Sequence, residues 1–270
     1  MKKTENGQAL IIILLVMAVG LTIGLSVVSR SVTDIRVSQQ EEEAARALSA
    51  AEAGIEESLK AGTATDVTIG EITADVVETA QGGGEKFVFS EKVKEGETKT
   101  IWLAEHNSDG DLIEDRFYTA DNLDVCWEKT DPETALEVTI FYKESSDGSY
   151  RVARGAYDAK ASARGNDFEP PDSGGCAGLG RKKRLIWNDF GIDSSSDILL
   201  ALRLRALYNQ ASVGVQAAGG GAVLPSQGRC YESTATTASG ITRKVRQCQS
   251  YKTPPGIFDY VLFSKSQIVK

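Results

Sequence analysis

Oxygen-bearing side chains crowd one short stretch of the sequence, EHNSDGDLIED, at residues 105–115. The candidate ligands alternate with other residues around Gly110: Glu105, Asn107, Asp109 and Asp111. Carboxylate and amide oxygens at this spacing are typical of a calcium-binding loop. Aligned on the glycine, however, the twelfth position is Arg116, where such a loop needs Glu or Asp. The pattern therefore favours a polar hairpin tip over a metal site, and these four residues are the expected ligands if calcium binds.

The four cysteines offer disulfide chemistry rather than metal binding. They are widely spaced, and with no C-x-x-C pair and one His the sequence disfavours tetrahedral zinc. Cys230 and Cys248 lie symmetrically about Ser239, so a hairpin turning at residues 238–240 would bring them to facing positions. We therefore predict a Cys230–Cys248 disulfide and, from the remaining pair, a Cys126–Cys176 disulfide. Four buried free thiols are the alternative.

The sequence offers little material for catalysis. His106 is the only imidazole and lies in the polar turn, so any Ser-His-Asp or Cys-His arrangement would have to form around it. We expect no enzymatic activity and no cofactor beyond the calcium considered above. The net charge of -8 disfavours general nucleic-acid binding, and we predict no specific nucleic-acid partner. The run RKKR at residues 181–184 is interpreted as a solvated loop flank rather than a site for anionic polymers.

The elements that would carry these residues begin with an apolar run at the amino end. No charged residue occurs from Ala9 to Ser29, and at 1.5 Å per residue a helix of this length spans about 30 Å, the thickness of a bilayer core. Lys2 and Lys3 precede the run, so the short amino terminus should stay cytoplasmic while the bulk of the chain lies outside. A cleaved secretory signal is the alternative, but its apolar core would be shorter.

The pattern behind the apolar run predicts that the same helix continues. Leu48, Ala51, Ile55 and Leu59 recur at steps of three and four residues and so share one helix face. Gly62 is a natural stop. We therefore predict a leader at residues 1–7, a transmembrane half of the helix at 8–29 and an amphipathic half at 30–61.

Beyond residue 62 the sequence changes to short alternating runs separated by turn residues, which predict β-strands. The run DILLALRLRALY is typical of a half-buried strand, and GIFDYVLFSKSQI at residues 256–268 of a closing strand. The fold class is thus α+β, a long helix followed by a mostly antiparallel, sandwich-like ectodomain. The Gly- and Pro-rich stretch at residues 166–184 is expected to be a long loop or linker. It either separates two lobes, at 62–165 and 185–270, or interrupts a single split sandwich.

Three blocks in order carry a family resemblance: the leader MKKTENG, the run GQALIIILLVMAVGLTIGLS and the block RALSAAEAGIEESL. Together they resemble the type IV filament superfamily, and the last block is similar to the amino-terminal region of PilX-type minor pilins. The resemblance implies that a prepilin peptidase cuts after Gly7 and that Gln8 becomes the mature, N-methylated terminus. It also implies assembly with other pilins or pseudopilins through the helices, driven by an inner-membrane assembly platform, after a stage in membrane lipid.

The sequence departs from most pilins at the fifth mature residue, which is Ile12 rather than Glu. In the family that carboxylate offsets the terminal ammonium of a neighbouring subunit, since an unpaired buried charge is costly. Its absence favours a minor, tip-proximal or initiating subunit, as in GspK-like members. Gly20 and Gly24 form a G-x-x-x-G, which is either a helix-packing motif or the ordinary glycine content of membrane helices.

Two functions therefore follow from the sequence. One is a minor pilin or pseudopilin that displays a β ectodomain on a surface filament, whether pilus, secretion pseudopilus or DNA-uptake fibre. The other is a single-pass, membrane-anchored surface binding protein or adhesin that never enters a filament. The position of the mature amino terminus, Gln8 or Met1, distinguishes them.

Overall fold

The computed structural model describes residues 6–219 and 221–256, and the architecture is α+β as predicted. A long helix, α1 (Asn6–Ala61), precedes the strands, which are interrupted by the short helix α2 (Ala161–Arg164) and a 3-10 turn at Trp187–Phe190. The strands are β1 (Val67–Ile69), β2 (Ile72–Gly82), β3 (Lys86–Val88), β4 (Thr98–Trp102), β5 (Ala104–His106), β6 (Leu112–Phe117), β7 (Asn122–Trp127), β8 (Ala135–Lys143), β9 (Tyr150–Tyr157), β10 (Arg181–Ile186), β11 (Ile198–Leu207), β12 (Val213–Ala217), β13 (Ser226–Thr236) and β14 (Thr242–Ser250).

Helix α1 ends where the sequence predicts. Gly62 follows its last residue with a φ of 72°, a left-handed conformation that glycine adopts without a Cβ clash. Its N–H donates to the Ser58 carbonyl over 2.9 Å, which satisfies one of the last helical carbonyls. The buried Ser58 hydroxyl then accepts the Thr65 N–H at 3.0 Å, and so joins the helix end to the following loop.

The chain folds as two compact units that differ from the predicted lobes. The first contains the described residues up to Val77 together with Tyr231–Arg246; the second contains Glu78–Cys230 and the described residues from Gln247 onward. Within the predicted loop or linker at 166–184, residues 166–180 form only isolated bridges, whereas residues 181–184 belong to β10, which pairs along its whole length with β7. A division at this point would also separate β11 from its neighbours β4 and β8.

The second unit contains two four-stranded sheets whose inner faces meet in one core. Their strand orders are β10-β7-β12-β3 and β4-β11-β8-β9. Buried side chains of both sheets belong to the same apolar cluster, including Val125 and Val215 of the first and Ile140 and Leu202 of the second. This arrangement is the predicted sandwich-like packing of antiparallel strands. Strand β11 has buried side chains on both faces, so the prediction of a half-buried strand is wrong.

In the first unit, the second half of α1 packs on strands of the sheet β1-β2-β13-β14. Ala50 and Ala51 contact Ala74 and Ala235 in a small apolar cluster, while Ile55 packs with Val76 and Tyr231 in a second one. The predicted helix face is partly wrong: Ala51, Ile55 and Leu59 lie on it, but Leu48 is 39% exposed. Around Leu48 the buried positions are the small residues Ala47, Ala50 and Ala51, which allow the helix backbone close to the sheet.

Both disulfides are present with the pairing inferred from the hairpin. Cys230 and Cys248 lie 3.9 Å apart between Cα atoms, on either side of a turn at which Gly240 has a φ of 89°. Cys126 and Cys176 lie 5.4 Å apart, and this bond closes a separation of 50 residues. The predicted closing strand at 256–268 lies outside the described residues apart from Gly256.

Replacing Cys126 and Cys176 together by Ala should lower the free energy of unfolding by about 2–4 kcal/mol, because the unfolded chain gains the freedom that the bond removes. The measurement is chemical unfolding of the full chain in detergent, followed by tryptophan fluorescence. The matched control replaces Cys230 and Cys248, whose bond spans only 18 residues and should contribute less. Equal effects of the two double variants would contradict the loop-length argument.

Candidate functional site

The first half of α1 presents apolar side chains on every side. All large hydrophobic residues from Leu10 to Val28 are exposed, and no charge interrupts them. By length and composition this helix can cross a membrane. A helix that is apolar all round is stable only inside lipid or among other helices. Residues 10–28 thus form an exposed apolar segment.

Of the two hydroxyl side chains inside the apolar segment, Thr22 and Ser26, that of Thr22 is hydrogen-bonded within its own helix. The Thr22 hydroxyl donates to the Val19 carbonyl at 2.8 Å, so it needs no partner from lipid or another chain. Gly20 and Gly24 have open space where a Cβ would stand, with no described atom within 4 Å. The predicted packing positions are therefore accessible to a second helix, and Ile12 is likewise 60% exposed.

The predicted processing residues lie at the start of α1. Gly7 and Gln8 have helical backbone, and the leader residues Met1–Glu5 lie outside the described part of the chain. A cut after Gly7 would therefore leave the helix beginning at the new terminus.

The second half of α1 is held by contacts that the sequence reasoning missed. Gly54 faces the sheet so closely that a Cβ there would lie 2.7 Å from Ser233 Oγ and 3.0 Å from Val76 Cγ2. Glu43 accepts hydrogen bonds from the hydroxyls of Thr237 and Ser239 in the β13–β14 turn. The signal was the spacing of small residues in ALSAAEAG, which places Ala47, Ala50, Ala51 and Gly54 on one face.

The calcium candidates lie on the β5–β6 hairpin but do not converge. Asn107 Oδ1 accepts the N–H groups of Asp109 and Asp111, each at 2.9 Å, so it folds the turn. Arg229 Nη2 donates to the carbonyls of Asn107 and Ser108, both at 2.6 Å, and so places a positive charge beside the loop.

Glu105 points its carboxylate toward Arg116, with the nearest atoms 3.7 Å apart. The residue that breaks the calcium motif is therefore also the ion-pair partner of one proposed ligand. Over residues 6–219 and 221–256, no group of three or more His, Cys, Asp or Glu side chains is arranged to hold a metal ion. The stretch is the polar hairpin tip that the twelfth position indicated.

His106 lies at the end of β5, half-buried between aromatic rings. Its ring stacks on Tyr251 at a centroid distance of 4.0 Å and meets the edge of Trp102 at 4.6 Å. Burial, with a smaller effect of the Arg229 guanidinium, lowers the pKa of His106 from 6.5 to about 4. The imidazole is therefore neutral at physiological pH and forms part of an aromatic wall with Trp102 and Tyr251.

This environment predicts a pH-dependent stability. The unfolded chain binds a proton at His106 near pH 6.5, but the folded chain binds it only near pH 4, so the contribution of this residue to stability falls as the pH falls between these values. When the pH is lowered from 7 to 5, the thermal unfolding temperature of His106→Phe should therefore fall less than that of the wild type. The variant keeps an aromatic ring in the stack but has no titrating group at this position. Equal losses in the two proteins would contradict the assignment.

The basic run at residues 181–184 is part of β10 and is engaged within its own unit. Its ion pairs join Arg181 with Glu133, Lys183 with Glu169 and Arg184 with Asp124. The side chains of Glu133 and Asp124 are each only 6% exposed, and an unpaired carboxylate there would be costly. The interpretation as a solvated loop flank is therefore wrong, since the run is a strand that neutralises buried acids.

No protein-family model, curated protein or solved structure matches this chain. Its own surface must therefore identify the functional site, and the exposed apolar segment of α1 is the most distinctive part of that surface.

Proposed function

We propose that this protein is a minor pilin or pseudopilin of a type IV-like filament. It would be inserted as a single-pass precursor, trimmed after Gly7 by a prepilin peptidase and moved by an assembly platform into the filament. The observation that carries this proposal is that one unbroken helix is charge-free and exposed in its first half, yet packed on the sheet of the first unit in its second half.

The physical reason is the solvent that each half of α1 requires. Apolar surface in water costs about 25 cal/mol per Å², so the apolar segment needs lipid or other helices around it. These two environments are similarly apolar, and a helix can therefore move from one to the other at small net cost. The second half carries its own sheet and keeps the same fold in both states.

The role as a minor subunit is supported by Ile12. A subunit without an acidic group near its terminus cannot neutralise the terminal ammonium of a neighbour inside an apolar fibre core. Such a subunit is best suited to the tip or to the start of assembly, where no preceding terminus needs a partner. Its partners would be other pilins or pseudopilins that contact it through their own amino-terminal helices.

The proposed orientation places the short amino terminus in the cytoplasm and the β ectodomain outside. Lys2 and Lys3 precede the apolar segment and favour this direction. Two disulfides in the ectodomain are consistent with an oxidising compartment. On a filament, the ectodomain would be displayed at the cell surface, where adhesive contacts are made.

Intact mass spectrometry of the native protein tests the proposal. The mature chain should begin at methylated Gln8, and Gly7→Leu should retain the leader because the residue before the cut has changed. Immunogold labelling of sheared filaments should detect the wild type and not the variant. A mature chain that begins at Met1 and is absent from filaments would overturn the proposal in favour of a membrane-anchored surface adhesin.

A further inference from the structure

The second unit has a cleft of about 370 Å³ beside the strand β4. Its walls include side chains of β3 and β4, and each of these strands is the last one of its sheet in the described structure. The volume lies within the range of roughly 300–1,000 Å³ that ligand sites occupy. The cleft therefore faces strand edges, which present backbone donors and acceptors, rather than the packed faces of the sheets.

The direction of the backbone groups on β4 follows from its pairing with β11. Leu103 N donates to Leu200 O on the β11 side, whereas the N–H and C=O of Trp102 point the other way, to the amide of Gln227 at 2.7 and 2.9 Å. Backbone groups alternate in direction along a strand, so Thr100 and Thr98 share the direction of Trp102. These residues line the cleft, and their N–H and C=O groups point away from β11, to the open edge of β4.

The amide of the Gln227 side chain lies where a neighbouring strand would bond to the edge of β4. Its amide oxygen and nitrogen bond to one residue of β4 in the way that a neighbouring strand would. The next backbone position with the same direction is Thr100. An added peptide strand that lies beside β4, next to the Gln227 amide, could therefore pair with the backbone groups of Thr100 and Thr98.

The side chains around the cleft offer shallow apolar sites between the polar backbone groups. Phe87 and Phe89 meet edge to face at 5.2 Å, and Tyr251 is fixed by its stack on His106. The Trp102 indole N–H is buried behind this wall and finds no acceptor among the described residues. Among the described residues of the lining, the charged ones are Glu91 and Lys99; their charges cancel, so the wall gives no electrostatic advantage to a ligand of either sign.

From these observations we propose that the β4 edge is a strand-acceptor site for an extended, uncharged peptide segment of a partner protein with aromatic side chains at alternate positions. The peptide backbone would bond to Thr98 and Thr100, which supplies affinity, and alternate side chains would contact the aromatic walls, which supplies selectivity. This site lies in the ectodomain and does not depend on the proposed filament function.

The test uses the full chain in detergent micelles and an acetylated, amidated peptide of sequence TYTFTYT. Trp127 and Trp187 are fully buried, and their indoles donate to the carbonyls of Thr134 and Ala120. In a ¹⁵N–¹H spectrum the peptide should therefore shift the indole signal of Trp102 in a saturable way and leave the other two unchanged. Trp102→Phe identifies the signal.

Two matched comparisons distinguish backbone hydrogen bonding from non-specific apolar binding. Thr100→Pro removes the N–H that faces the cleft, a change that an edge strand tolerates, and should weaken binding about tenfold. Thr100→Val keeps the N–H and should bind as the wild type does. If Thr100→Pro disturbs the fold, the same peptide with N-methyl groups at alternate residues tests the same bonds on the wild-type protein, and it should also bind about tenfold more weakly.

Saturable binding with both comparisons as expected supports the acceptor site. Equal affinity of the plain and N-methylated peptides would overturn it, because the contact would then not involve strand pairing. Absence of a saturable shift in the wild type would also overturn it, including the case in which residues 257–270 of the chain itself fill the cleft.

Discussion

Gly54→Leu is expected to lower the free energy of unfolding of the first unit by about 3 kcal/mol or more, because this position has no room for a side chain. A Cβ there would already lie 2.7 Å from Ser233 Oγ and 3.2 Å from Ala74 Cβ. The larger side chain would force α1 away from the sheet and separate Ala50 and Ala51 from their partners. Thermal unfolding of the full chain in detergent, followed by circular dichroism, measures the effect.

The matched control is Glu56→Leu, which adds the same side chain at an exposed position two residues later in the helix. It should change the stability by less than about 0.5 kcal/mol. Gly54→Ala should fall between the two, since it adds only the Cβ. A Gly54→Leu variant as stable as the Glu56→Leu variant would show that the helix does not pack against the sheet as described.

Gln227→Leu is expected to destabilise the second unit by about 3–4 kcal/mol, because three hydrogen bonds of a buried amide are lost together. Gln227 Oε1 accepts the Trp102 N–H at 2.7 Å, and Nε2 donates to the carbonyls of Trp102 and Pro225 at 2.9 and 2.8 Å. Leucine has a similar size but leaves these backbone groups without a partner. Chemical unfolding followed by tryptophan fluorescence gives the difference in stability.

Gln227→Glu distinguishes lost hydrogen bonds from altered packing. It keeps the shape and the acceptor, but its ionised carboxylate faces two carbonyl oxygens and has no donor for them. It should therefore be unstable at neutral pH and regain part of the loss on acidification, when the protonated carboxyl donates again. If Gln227→Leu is instead as stable as the wild type, the amide does not support the β4 edge.

Local patterns in the sequence were sufficient to predict the elements that depend on neighbouring residues. The uncharged run and Gly62 mark the extent of α1, because helix length and helix termination are properties of consecutive residues. The turn near Gly240 predicted the Cys230–Cys248 bond for the same reason. The class of fold followed from the change of period after residue 62.

Features that depend on distant residues were outside the reach of these patterns. The position of β11 between β4 and β8 is set by pairing over many residues, and no local signal distinguishes a central strand from a half-buried one. Leu48 was placed on the buried helix face because it is large and apolar, whereas the sheet selects small residues at that distance.

The candidate sites show the same division. The Arg at position 116 argues against a calcium loop from the sequence alone, since ligand spacing is local. The hydrogen bonds of Gln227 and the ion pairs of Arg181 and Arg184 join residues that are far apart in the sequence, so no local pattern predicts them. A polar side chain that substitutes for a strand has no sequence signature of its own.

The continuity of α1 has a mechanical consequence. Its 56 residues contain no proline, and the hydrogen-bonded backbone therefore forms a single stiff lever from Asn6 to Ala61. A force applied near Leu10 is therefore transmitted along the helix to the contact of Ala50 and Ala51 with the sheet. The close packing at Gly54 is thus one of the contacts that must resist a pull on the amino-terminal end.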